Sequence, residues 1–244
     1  MSDETKVATR ESSIITRLKE SIPTGKIFSE SNKVVITGRI ENEFEYCHEV
    51  MGNNYYRTRV IVERFSGTED FVPIVVSDLL IKKYSIKKPI KGKFVEIVGQ
   101  FRAYNRWGED GRKHLELFLF VMAINIYEDR LKETVDANLI FLNGYLCKPP
   151  VYRVTPLGRR ITDLLIAVNR PYGKSDYIPC IAWGINAKMA SEFEVGDRLK
   201  LYGRIQSRRY FKRYSQDSED GEYRDAYEIS VTTIEKEEKL KTEV

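Results

Sequence analysis

Cysteine and histidine are scarce in this chain, which has three cysteines and two histidines among 244 residues. Cys47, Cys147 and Cys180 lie far apart, and together with His48 and His114 they form no zinc-type spacing. The pattern argues against a disulfide framework and suits a reducing cytoplasm. We therefore expect no metal ion and no cofactor.

Long apolar runs are also missing. The first ten residues, MSDETKVATR, contain no apolar segment of the kind that a signal peptide needs. No run approaches the length of a membrane span. We expect a cytoplasmic protein without a membrane partner.

Signs of catalysis are equally sparse. The sequence has no glycine-rich phosphate loop. Both histidines lie in the first half of the chain, so a serine nucleophile in the second half would have no histidine base there. The carboxylates are scattered through charged loops. We therefore expect that this protein is not an enzyme.

What the chain does contain is a repeated segment. Residues 32–77 align without a gap on residues 138–183, at a constant offset of 106 residues, and further glycines match beyond them. Two copies of roughly a hundred residues are too long for a solenoid repeat and fit a duplicated domain. The identical positions in the gapless part are Asn32/Asn138, Gly38/Gly144, Tyr46/Tyr152, Gly52/Gly158, Val62/Val168, Arg64/Arg170, Gly67/Gly173, Asp70/Asp176 and Pro73/Pro179.

Each copy predicts five strands, with one short helix between the third and the fourth. The strand signals are apolar, β-branched and aromatic runs bounded by glycine or proline. This order is typical of the OB fold, although any small antiparallel barrel or sandwich would share part of it. Glycines inside the runs indicate the bulges and bends that a small barrel needs. We expect an all-β protein with one short helix per domain, built as two tandem five-stranded OB-fold barrels.

The composition also predicts the domain boundaries. We expect a polar amino-terminal arm at 1–31 and a first OB domain at 32–127. A charged linker follows at 128–137. The second OB domain covers 138–235, and a short charged tail covers 236–244.

Basic residues alternate with aromatic residues in the second copy. No acidic residue occurs between Arg198 and Gln216, a stretch that contains Arg204, Arg208, Arg209 and Tyr210. Guanidinium groups neutralise phosphates and aromatic rings stack on unpaired bases, so this run indicates nucleic-acid binding. A solvated hairpin whose tyrosines cover the barrel is the alternative.

Two further groups in the second copy are candidates. Strand alternation places Tyr177 and Trp183 on one face, which is either core or binding surface. Arg159 and Arg160 offer two cations at a turn, where ordinary solvation is an equal alternative.

The first copy differs. Its lysines around the helix are typical of a solubilising face. Its last hairpin keeps Arg102, Tyr104, Arg106 and Trp107. An exposed tryptophan is costly unless it is used, so Trp107 is the strongest candidate contact in this copy.

The second copy resembles the OB domain of bacterial single-stranded DNA-binding proteins. The resemblance rests on five segments in order: NLIFLNG at 138–144, AVNRPY at 167–172, DYIPCIAWG at 176–184, VGDRL at 195–199 and YGRIQSRRY at 202–210. It implies that Tyr172, Tyr177, Trp183 and Tyr210 stack on DNA. In the degraded first copy, Phe71 corresponds to Tyr177, Ser77 replaces Trp183, and Trp107 lies about one residue from the hairpin aromatic.

The resemblance implies a non-catalytic protein that binds single-stranded DNA with little sequence preference, and is associated with the nucleoid. Such a protein would protect exposed strands during replication, recombination and repair. Members with two OB domains per chain form dimers, so a homodimer with four barrels is expected. The last residues, EKEEKLKTEV, lack the acidic tip through which the family recruits replication and repair proteins, which puts such partners in doubt.

Two alternatives remain at this point. One is a tandem OB-fold subunit of a primosome or conjugation complex, with weak nucleic-acid binding. The other is an OB-fold protein that binds RNA, because contacts to the 2′-hydroxyl cannot be read from these residues.

Overall fold

The computed structural model describes residues 31–64, 66–107, 111, 113–128, 137–214 and 219–237. The side chain of Tyr172 is not among the described groups. All of the predicted amino-terminal arm except Ser31, residues 129–136 of the linker and most of the tail lie outside these residues. None of the helices in these ranges has the length and hydropathy of a membrane span.

Each repeat contains six strands and one α-helix within the described residues. The first repeat consists of β1 (Asn32–Ile40), β2 (Glu45–Val50), β3 (Asn53–Glu63), β4 (Glu69–Ser77), α1 (Asp78–Lys83), β5 (Phe94–Trp107) and β6 (Lys113–Tyr127). The second consists of β7 (Asn138–Leu146), β8 (Val151–Val154), β9 (Arg160–Arg170), β10 (Lys174–Trp183), α2 (Gly184–Ala190), β11 (Arg198–Arg213) and β12 (Gly221–Lys236). A short 3-10 helix, Pro171–Gly173, joins β9 to β10.

Five strands of each repeat close into a barrel. In the first repeat the order is β3-β4-β6-β5-β1, and β1 pairs back with β3. The second repeat has the equivalent order β9-β10-β12-β11-β7, closed by β7 with β9. The prediction of two five-stranded OB-fold barrels, each with a short helix between its third and fourth barrel strands, is confirmed.

The short strands β2 and β8 were not predicted. Among the residues that the structure describes, each pairs with only one neighbour, β3 or β9, and lies outside the closed barrel. All their residues are exposed, so neither strand carries the alternating apolar pattern from which strands are recognised. β3 starts at Asn53, directly after the two-residue turn that connects it to β2.

Glycine marks the places where each barrel bends. The ladder slips between Val98 and Gly99 in β5 and between Tyr202 and Gly203 in β11, as the interior glycines predicted. A side chain at Gly203 would collide with the backbone carbonyl of Ser230 on β12. Because only glycine allows this approach, the long strand can turn the corner of the barrel.

The two barrels join through their first strands. β1 pairs antiparallel with β7, with Val34 opposite Ile140 and Asn32 opposite Leu142. Val34 and Ile140 are equivalent in the repeat, so an approximate two-fold axis passes between them. The described residues thus form a single 12-stranded sheet in which the barrels are related by this axis. Most of the buried apolar side chains of the two barrels form one contiguous cluster, and Val35, Val98 and Ala137 form a small second one.

The repeated asparagines tie each first strand to its own barrel. The Asn32 side chain donates to the carbonyl of Phe101 (2.7 Å) and accepts from its N–H (2.9 Å). Asn138 makes the same two bonds with Ile205, at 2.7 and 2.9 Å. A side-chain amide can satisfy both groups of one backbone residue because it carries a donor and an acceptor.

Candidate nucleic-acid interface

The repeated Arg–Asp pairs connect each barrel to the other. Asp70 is fully buried, accepts a bidentate pair of bonds from Arg64 at 2.6 and 2.7 Å, and accepts the N–H of Ser207 at 2.7 Å. Ser207 belongs to β11 of the second barrel. The hydroxyl of Ser207 in turn accepts the N–H of Phe71 at 2.9 Å. The long hairpin of the second barrel is therefore fixed against β4 of the first.

The equivalent contact of the second repeat joins Asp176 of the second barrel to the hairpin of the first. Asp176 is fully buried, lies 3.0 Å from Nε of Arg170, and accepts the N–H of Ala103 at 2.7 Å. Ala103 belongs to β5 of the first barrel. Burial raises the pKa of Asp176, whereas the Ala103 N–H and Arg170 lower it. Each barrel thus holds the base of the other barrel's hairpin.

These contacts create two composite surfaces. We call the surface formed by β4 and the β11–β12 hairpin the first junction surface. The second junction surface is formed by β10 and the β5–β6 hairpin. The residues predicted as one site in the second copy are consequently divided between the two surfaces.

The second junction surface combines Tyr177 with the hairpin of the first barrel. Tyr177 follows Asp176 directly and is 46% exposed, while Tyr104 follows Ala103 directly and is 58% exposed. The hydrogen bond between Asp176 and Ala103 therefore brings the two ring-bearing segments together. Further along the hairpin, Trp107 is 65% exposed, and the ammonium of Lys113 lies 5.1 Å from its ring.

Trp183 lies at the far end of β10. It is half-buried and shares the outward face with Tyr177, as strand alternation predicted. The strand register places Trp183 opposite Ile161, one residue from Arg160. Arg159 is exposed in the β8–β9 turn, and Arg160 is exposed at the start of β9. These two arginines therefore extend the basic surface beyond Trp183, some 20 Å along the strand from Tyr177.

Tyr172 lies in the 3-10 helix between β9 and β10. This position follows Arg170, whose guanidinium pairs with Asp176. The backbone thus brings Tyr172 to the same end of β10 as Tyr177.

On the first junction surface the aromatic ring on β4 already contacts an arginine of the same barrel, a contact that Tyr177 on the second surface lacks among the described residues. Phe71 is half-buried, and the guanidinium of Arg59 lies 5.4 Å from its ring centroid. Arg59 is held by Glu41 at 2.5 Å and by Asp225 of the other barrel's hairpin at 3.1 Å. One side of the Phe71 ring therefore already faces a cation that is fixed in place.

The β11–β12 hairpin presents the aromatic and basic residues of this surface. Tyr210 is 38% exposed, and Arg208 lies 5.8 Å from its ring. Arg209 lies 5.1 Å from the ring of Tyr223, which itself packs edge-on against Phe211. The sequence analysis did not predict Tyr223 as a site residue. It could be found only from its pairing with Phe211 across the hairpin, and that pairing requires knowledge of the strand register.

Two predicted arginines sit at the bases of the hairpins. Arg102 packs its guanidinium 3.7 Å from the Phe120 ring and bonds Gln100 at 3.0 Å. Burial, together with the neighbouring Arg170, lowers the pKa of Arg102. Burial and the neighbouring Arg64 likewise lower the pKa of Arg204. Both junctions therefore concentrate positive charge around a single buried carboxylate, which favours an anionic ligand.

Comparisons with known proteins agree with this architecture. Residues 137–236 match the model of the Single-strand binding protein family. The single-stranded DNA-binding protein of Thermus aquaticus is 30% identical over 47% of this chain and 49% of its own length. Single-stranded DNA-binding protein 2 of Listeria innocua is 35% identical over 30% of this chain and 50% of its own length. The chain thus spans about half the length of the curated relatives it matches.

The fold is shared more widely than the sequence. A crystal structure of a deletion mutant of the Thermus aquaticus single-stranded DNA binding protein superposes with a TM-score of 0.67, at 20% identity, over 87% of this chain and 98% of that one. The tandem arrangement of two OB-fold barrels is therefore common to both. The second barrel of this chain, residues 137–236, is thus the part that is similar to the Single-strand binding protein family.

Proposed function

We propose that this protein binds single-stranded DNA without catalysis and with little sequence preference, protecting exposed strands during replication, recombination and repair. The observation that carries the proposal is the exposed rings set among arginines on both junction surfaces, in a chain whose second barrel matches the model of the Single-strand binding protein family. Rings stack on any base, and guanidinium groups follow the phosphates.

The binding unit in this proposal is the whole chain. Tyr177 and Trp183 come from the second barrel, whereas Arg102, Tyr104 and Trp107 of the same surface come from the first. Conversely, Arg204, Arg208, Arg209 and Tyr210 extend over the barrel that carries Phe71. A single DNA strand that runs from β10 to the adjacent β5–β6 hairpin would therefore cross from one barrel to the other.

The two surfaces are expected to contribute unequally. The second junction surface has Tyr177 and Trp183 on β10, whereas Phe71 faces Arg59 and Ser77 replaces the tryptophan. We infer that the second junction surface, with Tyr172 beside it, supplies most of the stacking. Arg159 and Arg160 supply phosphate contacts at its outer end.

We also propose a homodimer, with the domain boundaries at 32–127 and 138–235. Support comes from the outer face of the central sheet, where Phe141 and Tyr202 are cross-strand neighbours with ring centroids 4.8 Å apart. Tyr202 is half-exposed there, and such an aromatic pair suits an interface core. Light scattering should give twice the chain mass, and Tyr202→Lys should give one chain mass. A cytoplasmic, nucleoid-associated location follows from the proposed ligand.

A fluorescence titration tests the main proposal. Trp107 and Trp183 are the only tryptophans in the sequence, and both lie on the second junction surface. Oligo-dT should quench their emission strongly at low salt and more weakly at high salt, since phosphate contacts release counterions. Duplex of the same length should bind far more weakly. Equal binding of the duplex, or no binding at all, would overturn the proposal.

Matched variants separate the two tryptophans. Trp107→Phe reports on Trp183 alone, and Trp183→Phe reports on Trp107 alone, while each retains an aromatic ring. Quenching in both variants is expected if one strand contacts both barrels. An RNA oligomer of the same length distinguishes the RNA-binding alternative.

A further inference from the structure

The 12-stranded sheet has two ends, and they differ from each other. One end is β2 and the other is β8. Within the described ranges each of these strands pairs with one neighbour only, β3 or β9, and all its residues are exposed. An open strand edge presents N–H and C=O groups that can pair with another strand.

The repeat has diverged toward opposite charge at these two ends. Residues 41–50 contain four glutamates and no lysine or arginine. The corresponding stretch of the second copy, extended through the turn to 160, is 148–160; it contains Lys148, Arg153, Arg159 and Arg160 and no acidic residue. Elsewhere in the repeat, charged residues are identical in the two copies, as in the pairs Arg64–Asp70 and Arg170–Asp176. The charge difference is therefore a property of the edge strands.

Some of this charge is already used inside the chain. Glu41 pairs with Arg59 at 2.5 Å, and Glu43 accepts the N–H groups of Ile90 and Lys91 at 2.8 and 3.0 Å. Arg153 lies 2.7 Å from Asp163. Glu45 is 3.9 Å from Arg57, beyond hydrogen-bonding distance, and Glu49 is exposed on β2. The two ends still differ in the sign of their charge.

The backbone geometry fits strand addition at both ends. Thr155 donates to the carbonyl of Arg159 at 2.8 Å, so alternate residues of β8 bond to β9. Tyr152 and Val154 consequently direct their N–H and C=O groups to the open edge. On β2 the two-residue turn at Met51 and Gly52, both with positive φ, makes Val50 a bonded position. The backbone N–H and C=O of Glu49, one residue before Val50, therefore point to the open edge of the sheet.

We propose that the acidic edge β2 of one copy pairs with the basic edge β8 of a second copy, which continues the sheet from chain to chain. The contact is head to tail, so it can repeat without closing. An edge of four to six residues is a small interface and should be weak in isolation. Copies bound side by side on one DNA strand would be held at high effective concentration; this part rests on the proposed function.

Charge reversal tests the contact. Glu45→Lys with Glu49→Lys puts two lysines on β2, so that both edge strands are basic, and Lys148→Glu with Arg153→Glu makes β8 acidic, so that both edge strands are acidic. Neither pair includes a residue of the proposed DNA site. Each double variant alone should lose association beyond the proposed dimer at low salt, measured by sedimentation velocity, by roughly tenfold or more because like charges face each other. An equimolar mixture should restore association, since its edges are complementary again.

A second pair of variants tests the backbone. Tyr152→Pro removes an outward N–H but no bond to β9, which an edge strand tolerates. Tyr152→Ala removes the ring and keeps the N–H. Association should fall with proline only. If charge reversal leaves association unchanged, if mixing restores nothing, or if proline and alanine behave alike, the proposal is wrong.

The DNA part is measured separately. Oligo-dT that holds several chains should be covered contiguously by the unaltered protein and less so by the double variants. Oligo-dT that holds one chain should bind all of them equally. Failure of the unaltered protein to bind the short oligomer would overturn the proposed function, while sedimentation without DNA would still decide the edge contact.

Discussion

At the scale of single residues, the same repeat position has different surroundings in the two barrels. Tyr177 and Phe71 are equivalent, and each follows a buried aspartate that accepts a backbone N–H from the hairpin of the other barrel. Tyr177 is half-exposed, whereas Phe71 lies beside an arginine that two carboxylates hold. Equivalent aromatics therefore differ in how readily a base can reach them.

Replacement of these two rings should show the difference. Tyr177→Ala should weaken oligo-dT binding by about 1–3 kcal/mol, the usual contribution of one stacked base. Phe71→Ala should cost clearly less in the same fluorescence titration, because Arg59 occupies one side of that ring. Equal losses would mean that both rings stack alike and that Arg59 moves away.

The buried aspartates act on stability. Asp176→Ala would leave Arg170 without its carboxylate and the Ala103 N–H without its acceptor, so it should lower the free energy of unfolding by about 3 kcal/mol. Asp163→Ala breaks the exposed pair with Arg153 and serves as the control, with a loss below about 1 kcal/mol. Chemical denaturation measures both. Similar losses in the two variants would show that Asp176 does not join the barrels.

At the scale of elements, the long hairpins matter because each one leaves its own barrel. β5 and β11 run past the barrel bulge at Gly99 and Gly203 and carry their exposed residues onto the other barrel. A hairpin side chain therefore supports a binding surface whose floor belongs to the other repeat. The first copy has lost the tryptophan position on its own β4, where Ser77 stands. Its β5–β6 hairpin nevertheless forms part of the second junction surface.

This arrangement predicts an effect across the barrels. Tyr104→Ala together with Trp107→Ala should weaken oligo-dT binding by about 1–3 kcal/mol for each base that loses a stacking partner, although the second barrel is untouched. In this double variant the fluorescence of Trp183 reports the binding. Leu79→Ala, at an exposed apolar residue of α1, is the matched control and should bind normally. Normal binding by the double variant would restrict the site to the second barrel.

At the scale of the whole molecule, the two barrels form one structural unit. The β1–β7 ladder and the reciprocal contacts of Asp70 and Asp176 all lie around one approximate two-fold axis. Loss of structure in one barrel would therefore expose buried groups of the other.

Unfolding should accordingly occur in a single transition. Ile140→Ala, at the axis and 2% exposed, should lower the stability of the whole molecule by about 3 kcal/mol and keep one transition in calorimetry. Two separated transitions, with only one of them shifted, would show that the barrels unfold independently.

Much of this architecture was predictable because it depends on local signals. Strand alternation, interior glycines and the order of strands and helix predicted both barrels and placed Tyr177 and Trp183 on one face. That this face points outward, and not into the core, came from the structure. β2 and β8 escaped prediction because exposed strands need no apolar alternation. Tyr223 escaped because its partner Arg209 lies across a hairpin whose register the sequence alone leaves open.

The duplication, the fold of each copy and the kinds of side chain available for binding can be read from the sequence, because they depend on residue type and short-range spacing. Which residues share a surface depends on the tertiary structure. Arg64, Asp70, Arg170 and Asp176 are repeated in the sequence, yet nothing local shows that each pair holds the other barrel's hairpin. That assignment depends on the antiparallel pairing of β1 with β7, a contact between residues about a hundred positions apart.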